Sequence, residues 1–284
     1  MVTGHLYMTK SNKIKAKNNS DLSYKKLSIQ ISLNGLSFCV LDSIGNTIVL
    51  QESIRFSEEL IPFQVLKNLQ EFLEKNDITK MSFSDVTVIH RNTLFSLVPK
   101  ALFNEKELAN YLKFNAKILA NDHISFDEIS NYDLITVYVP FVNINNYIYE
   151  LFGEFEYKHN STVLIQSLLN NFNGGKDPIC YVHVLEQQMD VIVISNKKLL
   201  LYNSFNFHTK EDFIYYLLFT IEQLKLDTET LKLRLFGTIE EGDDLYHITH
   251  KYVRNVDVYI PTNLSYHTET NSSIFIDFTT LSAL

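Results

Sequence analysis

Two histidines three positions apart, His247 and His250, follow the aspartates Asp243 and Asp244. Side chains three and four apart share a helix face, so these residues have the spacing that best suits a metal ion such as zinc. An acidic first turn that complements the helix dipole, followed by ordinary exposed histidines, accounts for the same residues. That is the reading adopted, and neither a metal site nor a cofactor is expected. A second kind of chemistry belongs to turns at strand ends, where the backbone N–H groups of a glycine-bearing loop reach a phosphate and nearby carboxylates organise Mg²⁺ through water. Three segments stand where this could happen. They are Asn34 and Gly35 in Leu33-Asn34-Gly35-Leu36, Glu186 and Gln187 in Leu185-Glu186-Gln187-Gln188-Met189-Asp190, and Phe236-Gly237-Thr238-Ile239-Glu240-Glu241-Gly242. The first has no acid, the second has no glycine, and in the third two acids occupy the space between Gly237 and Gly242. His159, behind Glu156 and Tyr157, has no serine or cysteine nucleophile motif around it and reads as a structural hydrogen-bond donor.

The elements that must position these residues are legible from pattern. Residues 179–185, 191–194 and 199–205 are short runs rich in β-branched, aromatic and leucine side chains separated by turn residues. Thr209 then caps a helix over 212–226, followed by a strand over 231–236, a helix over 243–252 and a strand over 256–261. The first half runs in the same order. Strands over 27–33 and 36–41 flank the hairpin signal Asn34-Gly35, and a third strand spans 47–56. Pro62 opens a helix whose apolar stripe is Phe63, Leu66, Leu69, Phe72 and Leu73, and a fourth strand spans 86–90. An edge strand over 94–99 and a helix capped by Asn104 with Glu107 follow, and Val137-Tyr138-Val139-Pro140 closes the half as Val258-Tyr259-Ile260-Pro261 closes the other. Helix, short strand and helix connect the halves over 144–172, and Asn173-Gly174-Gly175-Lys176-Asp177-Pro178 is the linker. Residues 274–278 are expected to add one further strand.

Three antiparallel strands followed by two helix-separated strands is the order of the ribonuclease H-like unit, and two in tandem make an actin-like architecture. The fold class expected is therefore α/β, with two lobes that each hold a five-stranded mixed sheet, over residues 27–172 and 178–284. Residues 1–26 are expected to be a basic, unstructured tail. In an actin-like ATPase the nucleotide lies between phosphate turns after the first strand of each lobe, so Asn34, Gly35, Glu186, Gln187, Gly237 and Gly242 are the residues that would hold one. A ribonuclease H-type nuclease needs a cluster of acids on the first and fourth strands; the first-half strands carry none, and the second half offers Glu186 and Glu222 alone.

Hydrophobic content of 45% and charged content of 20% are those of a folded chain, and no apolar run approaches a membrane span. The net charge of −8 conceals a split. Residues 1–27 hold six lysines and one acid, which leaves 19 basic and 32 acidic residues, or −13, for the rest. Such a body repels nucleic-acid phosphates. Met8 is a second candidate start, and the N-terminus lacks the pattern of a secretory leader. Cys39 and Cys180 fall in strands, one in each half, and read as buried reduced thiols of a cytoplasmic protein. The helix over 212–226 is apolar on nearly every side, so a second cover is expected for it, by the other lobe or by a partner chain. Tyr147, Tyr149, Tyr246 and Tyr252, together with an exposed edge at 94–98, are further candidates for contact with a protein partner or a second copy.

Residues 27–282 resemble the DUF3822 family, uncharacterised proteins of Bacteroidetes. The resemblance rests on Phe95-Ser96-Leu97-Val98-Pro99, on Ala101-Leu102-Phe103-Asn104-Glu105 with Tyr111-Leu112-Lys113-Phe114-Asn115, and on the Val-Tyr-Val-Pro strand. The stretches 155–159 and 162–169, and Leu235-Phe236-Gly237 before Leu245-Tyr246, add to it. It implies an actin-like pair of ribonuclease H-like lobes and assigns no catalytic residue. The function expected is that of a non-catalytic actin-like scaffold or protein-interaction module with degenerate phosphate loops. The alternative is a nucleotide-binding actin-like ATPase or switch with unusual loops.

Overall fold

A computed structural model describes residues 13–14, 24–119, 121–185, 187–259, 267–268 and 277–284. The chain divides into two compact units, Met1–Leu164 with Leu264–Leu284, and Ile165–Asn263. The expected division therefore needs correcting at its end. The segment Leu264–Leu284 belongs with the first unit and not with the second half of the chain.

The first unit is built on a sheet of seven strands. Strands β1 (Lys13–Ile14), β2 (Lys25–Ile31), β3 (Gly35–Asp42), β4 (Thr47–Arg55) and β5 (Asp85–His90) are joined in it by β9 (Phe155–His159) and β15 (His267–Thr268), in the order β1-β9-β5-β2-β3-β4-β15. The tail residues Lys25 and Lys26 lie in β2, while most of residues 1–23 fall outside the described residues. β2, β3 and β4 form an antiparallel meander, and β5 and β9 continue it in parallel. Alternation along the strands assigns each face its cover. Leu27, Ile29 and Ile31 of β2 and Phe38 and Val40 of β3 join Val65, Leu69, Phe72 and Leu73 of helix α1 (Pro62–Lys75) in one core. Phe63, expected on that stripe, is 74% exposed, and Val65 takes the inward position. Cys39 and Leu41 point the other way, to Leu281 of the short terminal helix α7 (Phe278–Ser282). Asp277 caps α7 at the Thr279 N–H (2.9 Å) and accepts from the side chains of Gln30 and Ser37, and Ser28 Oγ donates to the Thr280 carbonyl (2.6 Å). Of the expected strand over 274–278, residues 274–276 lie outside the described residues and Phe278 opens this helix.

The closing strand of the first half is the main correction. Val137-Tyr138 lies in β8 (Leu134–Tyr138), the middle of a separate antiparallel sheet between β6 (Phe95–Pro99) and β7 (Ser125–Ile129). The strand beside β5 is β9, so the match of that tetrapeptide with the one at 258–261 does not mark equivalent places. Helix α2 (Leu108–Leu112) packs on this small sheet through Leu112. Helix α3 (Val142–Phe152) leads into β9, and α4 (Asn160–Asn170) carries the chain across the division between Leu164 and Ile165.

The second unit holds a sheet in the order β12-β11-β10-β13-β14, made of β10 (Ile179–Leu185), β11 (Gln188–Ser195), β12 (Lys198–Asn206), β13 (Lys232–Gly237) and β14 (Asn255–Val258). Helices α5 (Lys210–Gln223) and α6 (Asp244–Tyr252) follow β12 and β13. Thr209 caps α5 reciprocally: its hydroxyl accepts the Asp212 N–H (3.1 Å), and Asp212 Oδ2 accepts the Thr209 N–H (3.0 Å). Phe213, Leu217 and Ile221 bury against Val182, Val184, Val191 and Leu235. The result is an α/β fold with mixed sheets. Among the described residues no helix is long and apolar enough to cross a membrane.

Candidate functional site

The glycines of the candidate phosphate turns have their work within the sheets. Ser32 N–H donates to the Gly35 carbonyl (3.0 Å), so Leu33 and Asn34 are the turn residues and Gly35 is the first residue of β3. Neither Asn34 nor Gly35 has the positive φ of an Asn-Gly hairpin turn. A Cβ on Gly35 would stand 2.6 Å from the Ile54 carbonyl oxygen of β4, which is why glycine is there. The turn is also closed from outside. Leu33 and Asn34 carbonyls accept from Leu60 and Phe56 (both 2.9 Å), and the Asn34 N–H is held by Ser32 Oγ (3.2 Å).

Gly237 has φ +98°, and a Cβ on it would lie 2.2 Å from the Val184 carbonyl oxygen and 2.9 Å from the His183 ring. The close approach of β10 and β13 requires it, and Thr238 adds its N–H to the same Val184 carbonyl (2.8 Å). Gly242 is under no such demand: nothing stands within 4 Å of its Cβ position. Asp243 Oδ2 accepts the Glu240 N–H (2.8 Å), closing this segment on itself. Gln187 is exposed in the β10–β11 turn and its carbonyl accepts from Phe207 (2.9 Å); Glu186 lies outside the described residues. His247 and His250 are both exposed on α6, with the Tyr246 ring 6.0 Å from each. The acids before them are engaged, Asp243 as above and Asp244 with Lys210 Nζ (3.0 Å). Among the described residues no three His, Cys, Asp or Glu side chains gather as a metal would need.

Two buried polar clusters lie within the units, and of their residues the sequence reading assigned a role to His159 alone. In the first unit, Asp127 of β7 accepts from the Tyr138 hydroxyl (3.0 Å), the His159 N–H (2.7 Å) and the Thr162 hydroxyl (2.8 Å). It thus ties the small sheet to β9 and α4. Burial pushes its carboxyl up from 3.8 to about 6 against those hydrogen bonds. His159 is a structural donor: Nδ1 accepts from Ser161 N–H and Oγ (3.2 and 2.7 Å), and Nε2–H donates to the Asn92 carbonyl (3.1 Å). Ser161 is fully buried, so this pair has no access to a substrate. His90 accepts the Phe141 N–H at Nδ1 (3.2 Å) and donates to Asn145 Oδ1 (2.9 Å), with its pKa pushed down to about 3 by burial. In the second unit His183 Nδ1 lies 3.3 Å from Asp190 Oδ2, both buried, with Phe236 stacked on the imidazole at 4.8 Å.

The surface offers something different. On α5, for which a second cover by the other lobe or by a partner chain was expected, Tyr215 is 61% and Phe219 47% exposed. Phe205 of β12 stacks on Tyr216 (4.9 Å), Tyr216 meets Tyr215 edge-on (5.4 Å), and Tyr215 stacks on Phe219 (6.2 Å). A continuous aromatic run thus leads from the sheet edge to the outward face of the helix. Of the other candidate contact residues, Tyr147 and Tyr149 pack against the first core and Tyr246 against the second, leaving Tyr252 exposed. Strand β6 is an edge of its small sheet, but Leu94 to Leu97 are half-buried and Val98 is buried.

The class of the fold follows from solved structures. A Bacteroides thetaiotaomicron VPI-5482 protein with an actin-like ATPase fold and unknown function matches at a TM-score of 0.70 and 23% identity, over 83% of this chain and 91% of that one. A chain of the PilM–PilN type IV pilus biogenesis complex matches at 0.59 and 10% identity, over 91% and 97%. At these identities the likeness concerns the fold alone: this is an α/β protein of the actin-like ATPase fold. The chain belongs to the DUF3822 family of proteins of unknown function, whose profile matches residues 14–256. No curated protein matches it.

Proposed function

We propose that the protein is a non-catalytic actin-like scaffold that acts through a protein partner. In this reading two tandem ribonuclease H-like lobes, one on β2–β5 with β9 and one on β10–β14, keep the architecture while their phosphate turns are degenerate. The shared order of three antiparallel and two parallel strands supports the tandem arrangement. The observation that carries the reading is that Gly35 and Gly237 are required by neighbouring carbonyl oxygens, with the β2–β3 turn engaged by Phe56 and Leu60. The Asn34 N–H of that turn is already taken by Ser32 Oγ (3.2 Å), which leaves it unavailable to a phosphate. A net charge of −13 outside residues 1–27 favours a protein over a nucleic acid as partner. That a chain of similar fold belongs to the PilM–PilN complex is in keeping with a role in an assembly. We place the protein in the cytoplasm, in line with two free, buried cysteines.

The test is a melting experiment with ATP and Mg²⁺ at millimolar concentration. A nucleotide that binds only the folded chain raises its melting temperature by mass action. The expected result is no shift. A clear shift overturns the scaffold in favour of a nucleotide-dependent switch.

A further inference from the structure

The outward face of α5 combines shape and charge in a way that specifies its occupant. Glu211, Tyr215, Leu218, Phe219 and Glu222 stand at spacings of three and four and so share one stripe of the helix. The two tyrosine and phenylalanine rings are one turn apart at its centre, and Glu211 and Glu222, both exposed, close its two ends. These carboxylates lie about 16 Å apart along the axis. The cation carried by α5 is Lys210, whose ammonium is held by Asp244 (3.0 Å). The face is therefore aromatic in the middle and anionic at both ends.

This pattern disfavours a second copy of the same chain. Two copies meeting through α5 about a two-fold axis are antiparallel or parallel. The first sets Glu211 against Glu222 at both ends, and the second sets each glutamate against itself. Like charges so placed oppose association. We propose that the face docks an amphipathic helix of another protein, bearing an apolar stripe of about three turns with lysine or arginine at each end. Tyrosine and phenylalanine serve as the central anchors, and Phe205 and Tyr216 extend the platform on the β12 side. The two end pairs set register and orientation more than affinity. The inference rests on the scaffold reading and names the kind of partner and the place it binds.

The probe is a synthetic helical peptide of about 15 residues with leucines at positions i, i+4 and i+7 and two lysines at each end. Binding to the full chain is read by fluorescence anisotropy of a label on the peptide. A second peptide replaces the lysines by glutamate. The expected result is saturable binding of the basic peptide, at least tenfold weaker binding of the acidic one, and loss of binding in Phe219→Ala. The exposure of Phe219 leaves that variant folded, as a circular dichroism melt verifies. Glu211→Gln with Glu222→Gln should remove most of the difference between the peptides and the salt dependence of binding. Equal binding of both peptides, binding unchanged in Phe219→Ala, no binding at all, or a dimer in sedimentation equilibrium that Phe219→Ala dissociates each overturns the proposal. The ATP melt on the same preparation separates the two readings. Failed docking without a nucleotide shift overturns the helix partner alone, whereas a nucleotide shift overturns the scaffold.

Discussion

Replacing Asp127 by asparagine should expose a titration that the wild-type chain conceals. Asp127 is fully buried with its pKa moved from 3.8 to about 6, so between those values the folded chain holds a proton that the unfolded chain has lost. Acidification through this window therefore favours folding, by about 1.4 kcal/mol per pH unit and about 3 kcal/mol in all. His90 behaves in the opposite sense. Its pKa falls from 6.5 to about 3 on burial, so below 6.5 the unfolded chain binds a proton that the folded chain refuses, and acidification disfavours folding at the same slope. From pH 6 to pH 4 the two effects cancel. The groups around Asp127 are the Tyr138, Tyr157 and Thr162 hydroxyls, the His159 N–H and Lys158. In Asp127→Asn the effect of His90 is no longer offset. The variant should lose stability relative to wild type by about 3 kcal/mol between pH 6 and pH 4, whatever its offset at pH 7. Urea unfolding followed by circular dichroism at half-unit pH steps measures it. A difference that stays constant to within about 0.5 kcal/mol over that range would refute the reasoning. His90→Gln provides the reciprocal check, with a relative stability that rises on acidification over the same range.

Gly237→Ala should destabilise the chain by more than about 2 kcal/mol, since its φ is +98° and the Val184 carbonyl oxygen stands in the way, while Gly242→Ala should change stability by less than about 0.5 kcal/mol. Thermal or urea midpoints separate the two. On α5, Phe213→Ala at a fully buried site should cost about 3 to 5 kcal/mol, and Tyr215→Ala or Phe219→Ala below about 1 kcal/mol. A large loss at Tyr215 would mean that its ring is covered. Cys39 and Cys180, whose thiols burial pushes up to about 12, should resist alkylation at pH 8 in the folded chain and react on unfolding, as mass spectrometry would report.

The local signals were the readable ones. The meander strands, Pro62 at the start of α1 and the Thr209–Asp212 cap follow from periodicity and end chemistry, and each lies within a few residues of its expected place. What failed depended on partners distant in sequence. Phe155, Tyr157 and His159 alternate inward as a strand should, but nothing local says that this strand, and not the more apolar β8, lies beside β5. Asp127 likewise occupies the inward position between Ser125 and Ile129, a place where a carboxylate is costly until Tyr138, Thr162 and a backbone N–H are brought to it. The Asn34-Gly35 pair pointed to a hairpin correctly and to the wrong turn residues, because the glycine answers to Ile54 on the next strand. Helix α5 reads as apolar all round, and composition does not reveal which of its sides stays open.

The contact of Ser28 with Thr280 joins residues 252 positions apart, and Asp277 reaches back to Gln30 and Ser37 in the same way. On the ribosome β2 and β3 emerge early, and one of their faces, with Cys39 and Leu41, has no α7 to meet until the entire second unit has been synthesised. The first unit is thus begun before the second and completed after it. A nascent chain arrested anywhere between the two should hold a half-clad sheet, open to chaperones and to strand exchange, however well its second unit has folded.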